Sequence, residues 1–132
     1  MEVKEGALYL GGLSADSLIR EYGSPLYVYE KELLVNRFRK MRSCFPVNQV
    51  DIHYAMKANY NPSLLALLRY EGAWIDAVSP GDVQLALTIG YAPEQVLFTG
   101  NNSHFSEIEF CMNRNVQVNL GSLDLLSQYG YV

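Results

Sequence analysis

The sequence predicts an α/β fold in which four strand-then-helix units form a parallel sheet. From residue 52 onward, short apolar runs alternate with segments of helical length at an interval of roughly 22 residues. Two of these helical segments begin with a capping residue followed directly by proline, which is typical of helix N-termini. Because this alternation requires crossover connections, the strands are expected to run parallel. Four units are half of an eight-unit barrel or most of a small doubly wound sheet, and the pattern alone leaves both open.

Two helices are predicted before these units. The first spans residues 14–22, where a serine or aspartate can cap its start and Gly23 can end it. An extended run, 26–29, follows a proline. A second, half-buried helix is predicted over 31–44. Its apolar residues recur at spacings of three and four: Leu34, Phe38, Met41 and Phe45.

The first unit combines a strand over 52–57 with a helix that begins at Asn61 and runs through Tyr70. The later strands are 74–78, 96–99 and 116–120, and their helices begin at Ser79, near His104 and at Ser122. Parallel strands joined by right-handed crossovers all end at one edge of the sheet, where α/β proteins place their ligands. The residues expected at this edge are Lys57, Asp76, Ser79, Asn101, Asn102, Gly121 and Ser122.

The composition indicates a soluble, unsecreted chain that can bury a core, since 49% of its 132 residues are hydrophobic. The net charge of -4 and the lack of a basic stripe argue against a nucleic-acid partner. No apolar stretch approaches the roughly 20 residues that span a bilayer, and the start is acidic instead of basic. Cys44 and Cys111 lie outside any CxxC spacing, which favours reduced thiols in a cytoplasm.

Lys57 has the clearest catalytic potential in the sequence. It ends an otherwise apolar and aromatic predicted strand. Partial desolvation there would free the lone pair of its amine to attack an aldehyde. The residue types alone favour a simpler interpretation, in which Lys57 is a solvated lysine at a strand end.

Acidic and hydroxyl side chains follow on the next unit. Asp76 lies in a strand covered on both faces, so it either orients Lys57 or a cofactor group or makes a structural hydrogen bond. Ser79 and Asp82 have the spacing of helix-capping residues, which is the favoured interpretation. The same helix N-terminus could also receive a phosphate or carboxylate.

Other kinds of site lack support in the sequence. His53 and His104 are the only histidines and are far apart, so a metal site is not expected. His53 is expected to pack beside the sheet, and His104 to be exposed in the first turn of a helix. There is no GxGxxG, Walker or GxSxG motif, which argues against nucleotide binding and serine hydrolysis.

Segment 52–59, Ile-His-Tyr-Ala-Met-Lys-Ala-Asn, resembles the cofactor-lysine motif of the pyridoxal-phosphate-dependent decarboxylases with the alanine-racemase type of barrel. Similar matches appear in chain order at 22–29, 72–82 and 96–102. The stretch 118–130 resembles the diaminopimelate branch of this family in particular. The resemblance covers the chain from about Leu8 to Gly130.

The resemblance implies a (β/α)8 TIM-like barrel, of which this chain holds about the first four units. Residues 1–30 would lead into the barrel, and 31–132 would form the first half of its pyridoxal-phosphate-binding domain. Lys57 would hold the cofactor covalently, with Asp76 and Ser79 also binding it. The family usually has glutamate at the position of Asp82.

The activity implied by the resemblance is decarboxylation of meso-diaminopimelate to lysine by a cytoplasmic homodimer. The family's phosphate loop, its carboxylate facing the pyridine nitrogen and its carboxy-terminal β-domain would lie beyond this sequence, so the chain is expected to be a fragment that is inactive alone. Several alternatives stay open. They are an ornithine- or arginine-type decarboxylase, a related racemase, a non-catalytic half-barrel that pairs with a full-length homologue, and a generic α/β domain with an incidental lysine.

Overall fold

The computed structural model describes residues 1–46 and 49–130. Its contacts divide the chain into two compact units, Met1–Lys40 and Met41–Val132. Four residues of the predicted barrel segment 31–132 lie outside the described residues: 47, 48, 131 and 132. Within the described ranges, no helix is both long and apolar enough to cross a bilayer.

The first unit begins with a three-stranded antiparallel meander that the sequence analysis did not predict. Its strands are β1, Glu2–Lys4, β2, Ala7–Leu10, and β3, Leu13–Ser14. Two-residue loops connect them, Glu5-Gly6 and Gly11-Gly12, and all four loop residues have positive φ. Tight hairpins favour this conformation because its twist matches that of the strands.

Helix α1, Ala15–Tyr22, agrees with the prediction at both ends. The Ser14 hydroxyl oxygen accepts a hydrogen bond from the main-chain N–H of Ser17 at 3.1 Å, as an N-cap does. Gly23 ends the helix at φ 84°, and its N–H donates to the Ile19 carbonyl oxygen at 2.9 Å. No strand forms over the predicted extended run 26–29.

Helix α2, Lys31–Arg42, is shorter than the predicted 31–44. Its buried side chains are Val35 and Phe38. Phe38 belongs to the predicted apolar stripe, but Met41 and Phe45 are 56% and 44% exposed. The predicted apolar stripe is wrong at its carboxyl-terminal end, because the helix stops before Phe45. Val35, which was not part of the predicted stripe, is buried beside Phe38.

The second unit contains the predicted four strand-then-helix units. The strands are β4, His53–Ala55, β5, Trp74–Ala77, β6, Val96–Phe98, and β7, Gln117–Val118. They lie side by side in chain order, and each neighbouring pair is parallel. The predicted α/β class and parallel sheet are therefore confirmed.

The four helices of this unit also begin where the sequence predicts. They are α3, Pro62–Tyr70, α4, Pro80–Ile89, α5, Phe105–Met112, and α6, Leu123–Tyr129. Serine or asparagine side chains cap three of them: Asn61, Ser79 and Ser122. Gly90 ends α4 in the left-handed conformation at φ 103°, which costs glycine little because it has no Cβ.

The two faces of this sheet differ in burial. One face packs against the helices, and its residues Ile75, Ala77, Val96 and Phe98 have no exposed surface. We call the other face of the sheet the open face. Its residues alternate along each strand with those that face the helices, and they pair with one another between neighbouring strands. On β4 to β6 and directly after β6, the open face consists of His53, Ala55, Trp74, Asp76, Leu97 and Thr99, all half-buried, and Gln117 of β7, which pairs with Leu97, is exposed. Functional side chains are thus available on the open face, while the helix-facing side supplies the core.

Candidate active site

Lys57 lies just beyond the end of strand β4 instead of inside it. The strand ends at Ala55, and Met56–Ala58 forms a single 3-10 turn. The predicted strand 52–57 is therefore too long, because Met56 turns into the core, where its side chain is fully buried. Lys57 itself is exposed, which agrees with the solvated position that the residue types alone favour and not with partial desolvation. Its main chain lies at the carboxyl edge of the sheet, and its exposed side chain is accessible to a ligand.

A series of side-chain to main-chain hydrogen bonds fixes the loop after Lys57. The Asn59 Oδ1 atom accepts from the N–H of Asn61 at 2.9 Å, and the Asn61 Oδ1 atom accepts from the N–H of Ser63 at 2.9 Å. The second bond caps α3. The Tyr54 hydroxyl donates to the Asn59 carbonyl oxygen at 3.4 Å. Because asparagine side chains readily bond the backbone two residues ahead, this sequence holds the loop that follows the Lys57 turn.

Asp76 occupies the middle of the open face. In the parallel ladder it lies between Ala55 on β4 and Leu97 on β6. Its Oδ1 atom accepts a hydrogen bond from the Thr99 hydroxyl. Asp76 and Lys57 form no ion pair within the described part of the chain. The ladder nevertheless places Asp76 beside the strand that leads into Lys57, and strand β5 contacts the 3-10 turn that carries Lys57.

Thr99 is a site residue that the sequence analysis missed. It directly follows β6 and is half-buried on the open face. Its position in the sequence could have indicated it, because Thr99 ends the third predicted strand just as Lys57 ends the first. Its relation to Asp76 depends on the register of two strands 23 positions apart, which the sequence pattern does not fix.

Ser79 and Asp82 form a reciprocal cap at the start of α4. The Ser79 hydroxyl oxygen accepts from the Asp82 N–H at 3.1 Å, and the Asp82 Oδ2 atom accepts from the Val78 N–H at 3.0 Å. The favoured interpretation of these two residues as capping residues is confirmed. An aspartate is long enough for this bond, so the difference from the family's usual glutamate does not disrupt the cap.

Both histidines have structural surroundings. His53 is half-buried, with its ring centroid 5.3 Å from that of Trp74 and its Nδ1 atom 3.1 Å from the Ile75 carbonyl oxygen. The expected packing beside the sheet is confirmed. His104 is the exposed N-cap residue of α5, and its N–H donates to Glu107 Oε2 at 2.9 Å. In the described ranges, no three histidine, cysteine or acidic residues cluster as metal ligands do.

The loops that follow β6 and β7 enclose a polar cleft at the same edge of the sheet. Its volume is about 450 Å³. Its lining consists of Asn101, Asn102, Ser103, Gly121, Ser122 and Leu125. The expectation that these two loops meet is confirmed. Lys57, Asp76 and Ser79 are outside this lining, so the edge carries two neighbouring features: the lysine with the Asp76–Thr99 pair, and the cleft.

Comparison with known proteins gives a consistent result. Residues 31–131 match the family model described as "Pyridoxal-dependent decarboxylase, pyridoxal binding domain". The chain is 38% identical over 120 residues to a diaminopimelate decarboxylase of Methanothermobacter thermautotrophicus, which covers 89% of this chain and 28% of that protein. The chain thus spans less than a third of the length of that relative.

Solved structures agree with the sequence match. A protein from Aquifex aeolicus superposes with a TM-score of 0.87 at 35% identity, covering 96% of this chain and 32% of that one. The diaminopimelate decarboxylase of Helicobacter pylori, solved in complex with L-lysine, gives a TM-score of 0.76 at 28% identity, covering 87% of this chain and 31% of that one. The four units described above are therefore the amino-terminal part of a TIM-like barrel.

Proposed function

We propose that this chain, which belongs to the family of pyridoxal-dependent decarboxylases, provides the cofactor-binding lysine of a diaminopimelate decarboxylase. The observation that carries the proposal is the position of Lys57. Its exposed amine follows the first strand of the parallel sheet, on a turn held by a buried methionine on one side and an asparagine-stabilised loop on the other. The turn fixes the main chain of a lysine at the edge where α/β folds bind ligands.

The residues present fit the aldehyde end of pyridoxal phosphate. When bound, the cofactor supplies an electron sink for the pair of electrons left behind as carbon dioxide departs. The Lys57 amine would hold the cofactor through its aldehyde carbon, with the aldehyde oxygen leaving as water. Because Lys57 is exposed and the turn fixes its main chain, the amine can reach a ligand that lies over the open face.

Asp76 and Ser79 are the further residues that we propose to contact the cofactor. Asp76 is the acidic residue on the described strands of the sheet, and its carboxylate can orient a cationic or hydrogen-bond-donating group there. Ser79 lies at the N-terminus of α4, where main-chain N–H groups favour an anion. Its hydroxyl already accepts the capping bond from Asp82, so a contact to the cofactor would be made by its proton.

The proposed substrate, cellular location, oligomeric state and domain boundary are supported by the relatives, the family resemblance and the composition. We propose meso-diaminopimelate as substrate and lysine as product, because the relative of Methanothermobacter thermautotrophicus is named a diaminopimelate decarboxylase and segment 118–130 resembles that branch. A cytoplasmic location is supported by the two free cysteines, Cys44 and Cys111. A homodimer and a domain boundary after residue 30 are proposed on the family resemblance. The net charge of -4 supports a small-molecule substrate over nucleic acid.

A titration of the purified chain with pyridoxal phosphate tests this proposal. Binding to Lys57 should change the cofactor's absorption spectrum saturably at about one cofactor per chain. The Lys57→Ala variant should lose this change, and Lys40→Ala should keep it, because Lys40 lies on helix α2 instead of the sheet edge. Equal, unsaturated responses from all three proteins would contradict the proposal.

A further inference from the structure

We propose that Thr99 is a positioning residue that fixes the Asp76 carboxylate and, through it, promotes the covalent capture of pyridoxal phosphate by Lys57. This inference rests on the proposed function of Lys57. It adds a residue to that site on the strength of one interaction, the hydrogen bond that the Thr99 hydroxyl donates to Asp76 Oδ1.

The main chain around Thr99 is held from both sides. Its N–H donates to the Ala77 carbonyl oxygen at 2.8 Å, which extends the ladder between β5 and β6 by one residue beyond the end of β6. The next residue, Gly100, is buried, and a Cβ atom there would lie 2.6 Å from both Phe98 Cζ and Ser103 Oγ. The chain therefore has little freedom to move Thr99 away from Asp76.

The main chain of Asp76 is held just as firmly, but the orientation of its carboxylate depends on Thr99. Its backbone lies between two parallel neighbours, Ala55 and Leu97. Within residues 1–46 and 49–130, Thr99 is the hydrogen-bond partner of the carboxylate. The terminal torsion of an aspartate is broad when nothing holds it. Since Thr99 engages Oδ1, the carboxylate keeps one orientation and Oδ2 is left for a second partner.

A fixed carboxylate is more effective than a mobile one at the edge of an active site. Charges that are already oriented need no reorganisation when a ligand's charge develops beside them. Strand β5, which carries Asp76, contacts the turn that carries Lys57. Without the Thr99 hydroxyl, the Asp76 carboxylate would adopt several orientations. It would then stabilise the Lys57 adduct less, and less adduct would form.

The simplest competing explanation is that Thr99 only satisfies the polar side chain beside it. Valine has the same shape as threonine but lacks the hydroxyl, whereas serine keeps the hydroxyl. A structural role would appear as a change in stability with unchanged reactivity of Lys57. A positioning role would appear as a change in the Lys57 adduct that serine restores and that depends on Asp76.

The test is to incubate the chain with a fixed concentration of pyridoxal phosphate, reduce with borohydride, and measure the modified fraction of Lys57 by mass spectrometry. The proteins compared are wild type, Thr99→Val, Thr99→Ser, Asp76→Asn and the Thr99→Val/Asp76→Asn double variant. The matched control is Thr88→Val, which removes another hydrogen-bonded hydroxyl, the one that donates to the Gln84 carbonyl oxygen at 2.8 Å on the exposed surface of α4. Thermal unfolding of each variant is measured alongside.

Thr99→Val should lower the modified fraction of Lys57 on the order of tenfold, as expected for losing a hydrogen bond to a charged group. In Thr99→Ser and Thr88→Val this fraction should stay near that of wild type. Adding Thr99→Val to Asp76→Asn should cause no further loss, because the two residues act as one unit. Normal labelling of Thr99→Val, or an equal loss in the Asp76→Asn background, would overturn the inference alone. Absence of selective Lys57 labelling in wild type would overturn the proposed function and this inference with it.

Discussion

The Tyr91 hydroxyl donates a hydrogen bond to the main-chain carbonyl oxygen of Leu65 at a distance of 2.9 Å. The bond joins the residue after the Gly90 cap to the middle of helix α3, whose N-terminus follows the Lys57 loop. Tyr91 is 3% exposed and Leu65 is fully buried. The scaffold under the candidate site is thus held by a buried polar contact as well as by apolar packing.

Replacing Tyr91 by phenylalanine should destabilise the fold by about 1–2 kcal/mol, because the Leu65 carbonyl oxygen loses a partner in a buried setting. Urea denaturation followed by circular dichroism measures the change. Tyr70→Phe is the matched control, since Tyr70 is 85% exposed and its substitution should leave the midpoint unchanged. Equal midpoints for the two variants would show that the Tyr91 bond contributes nothing to stability.

Alkaline pH should destabilise the chain through the deprotonation of two buried residues, Tyr91 and Cys111. Burial raises the pKa of Tyr91 to about 12 and that of Cys111 to about 11, whereas unfolded tyrosine and cysteine titrate at about 10 and 8.5. The unfolded chain therefore loses these protons first. The stabilising contribution is complete below the unfolded pKa values and is lost as the pH rises toward the folded ones.

The measurable consequence is a free energy of unfolding that declines between about pH 9 and pH 12. Tyr91→Phe should show a shallower decline than wild type above about pH 10, because it lacks the titrating phenol. Tyr70→Phe should follow wild type. A Tyr91→Phe curve parallel to that of wild type over this range would contradict the assignment of the decline to Tyr91.

Gly100 and Gly81 should respond oppositely to substitution by alanine. A Cβ at Gly100 would lie 2.6 Å from Phe98 Cζ and Ser103 Oγ, whereas at Gly81 the nearest atom is Ser79 Oγ at 3.6 Å. Gly100→Ala should therefore cost about 1–3 kcal/mol by overpacking. Gly81→Ala, in the first turn of α4, should be neutral or stabilising by up to about 1 kcal/mol. Thermal or urea unfolding distinguishes the two, and a stabilising Gly100→Ala would contradict the packing described here.

Ser79 is expected to act on stability through its cap. Ser79→Ala should cost about 1 kcal/mol, and Ser79→Asp should restore most of it, because aspartate caps helices as well as serine does. The same pair of variants separates the cap from a cofactor contact. If Ser79 also binds pyridoxal phosphate, Ser79→Asp should bind the cofactor more weakly while unfolding like wild type. Wild-type cofactor binding by Ser79→Asp would limit Ser79 to its capping role.

Much of this fold could be predicted from local signals. The helices over 62–70 and 80–89 begin at a capping residue and a first-position proline, and this chemistry is local to each helix start. The parallel sheet followed from the alternation of units. The strands came out shorter than predicted, as at Lys57, because the apolar pattern continues into a turn whose first residue, Met56, is also buried.

The features that could not be predicted depend on long-range register or on very short elements. The meander β1–β3 has strands of two to four residues, too short for alternation to stand out, although Gly11-Gly12 is a typical hairpin loop. The Asp76–Thr99 hydrogen bond joins two strands whose relative register a single sequence does not specify. Lys57 could be identified by resemblance to a motif, but the 3-10 turn that carries it required the three-dimensional structure.

The most direct test of the account is to locate the lysine that captures pyridoxal phosphate. The chain has four lysines, Lys4, Lys31, Lys40 and Lys57, and Lys57 is the one that follows a strand of the parallel sheet. After incubation with the cofactor and borohydride reduction, peptide mapping should find the modification concentrated on Lys57 in wild type and lost in Lys57→Ala, with no compensating gain elsewhere. Labelling spread evenly over the four lysines would contradict the claim that this chain forms a cofactor site at Lys57.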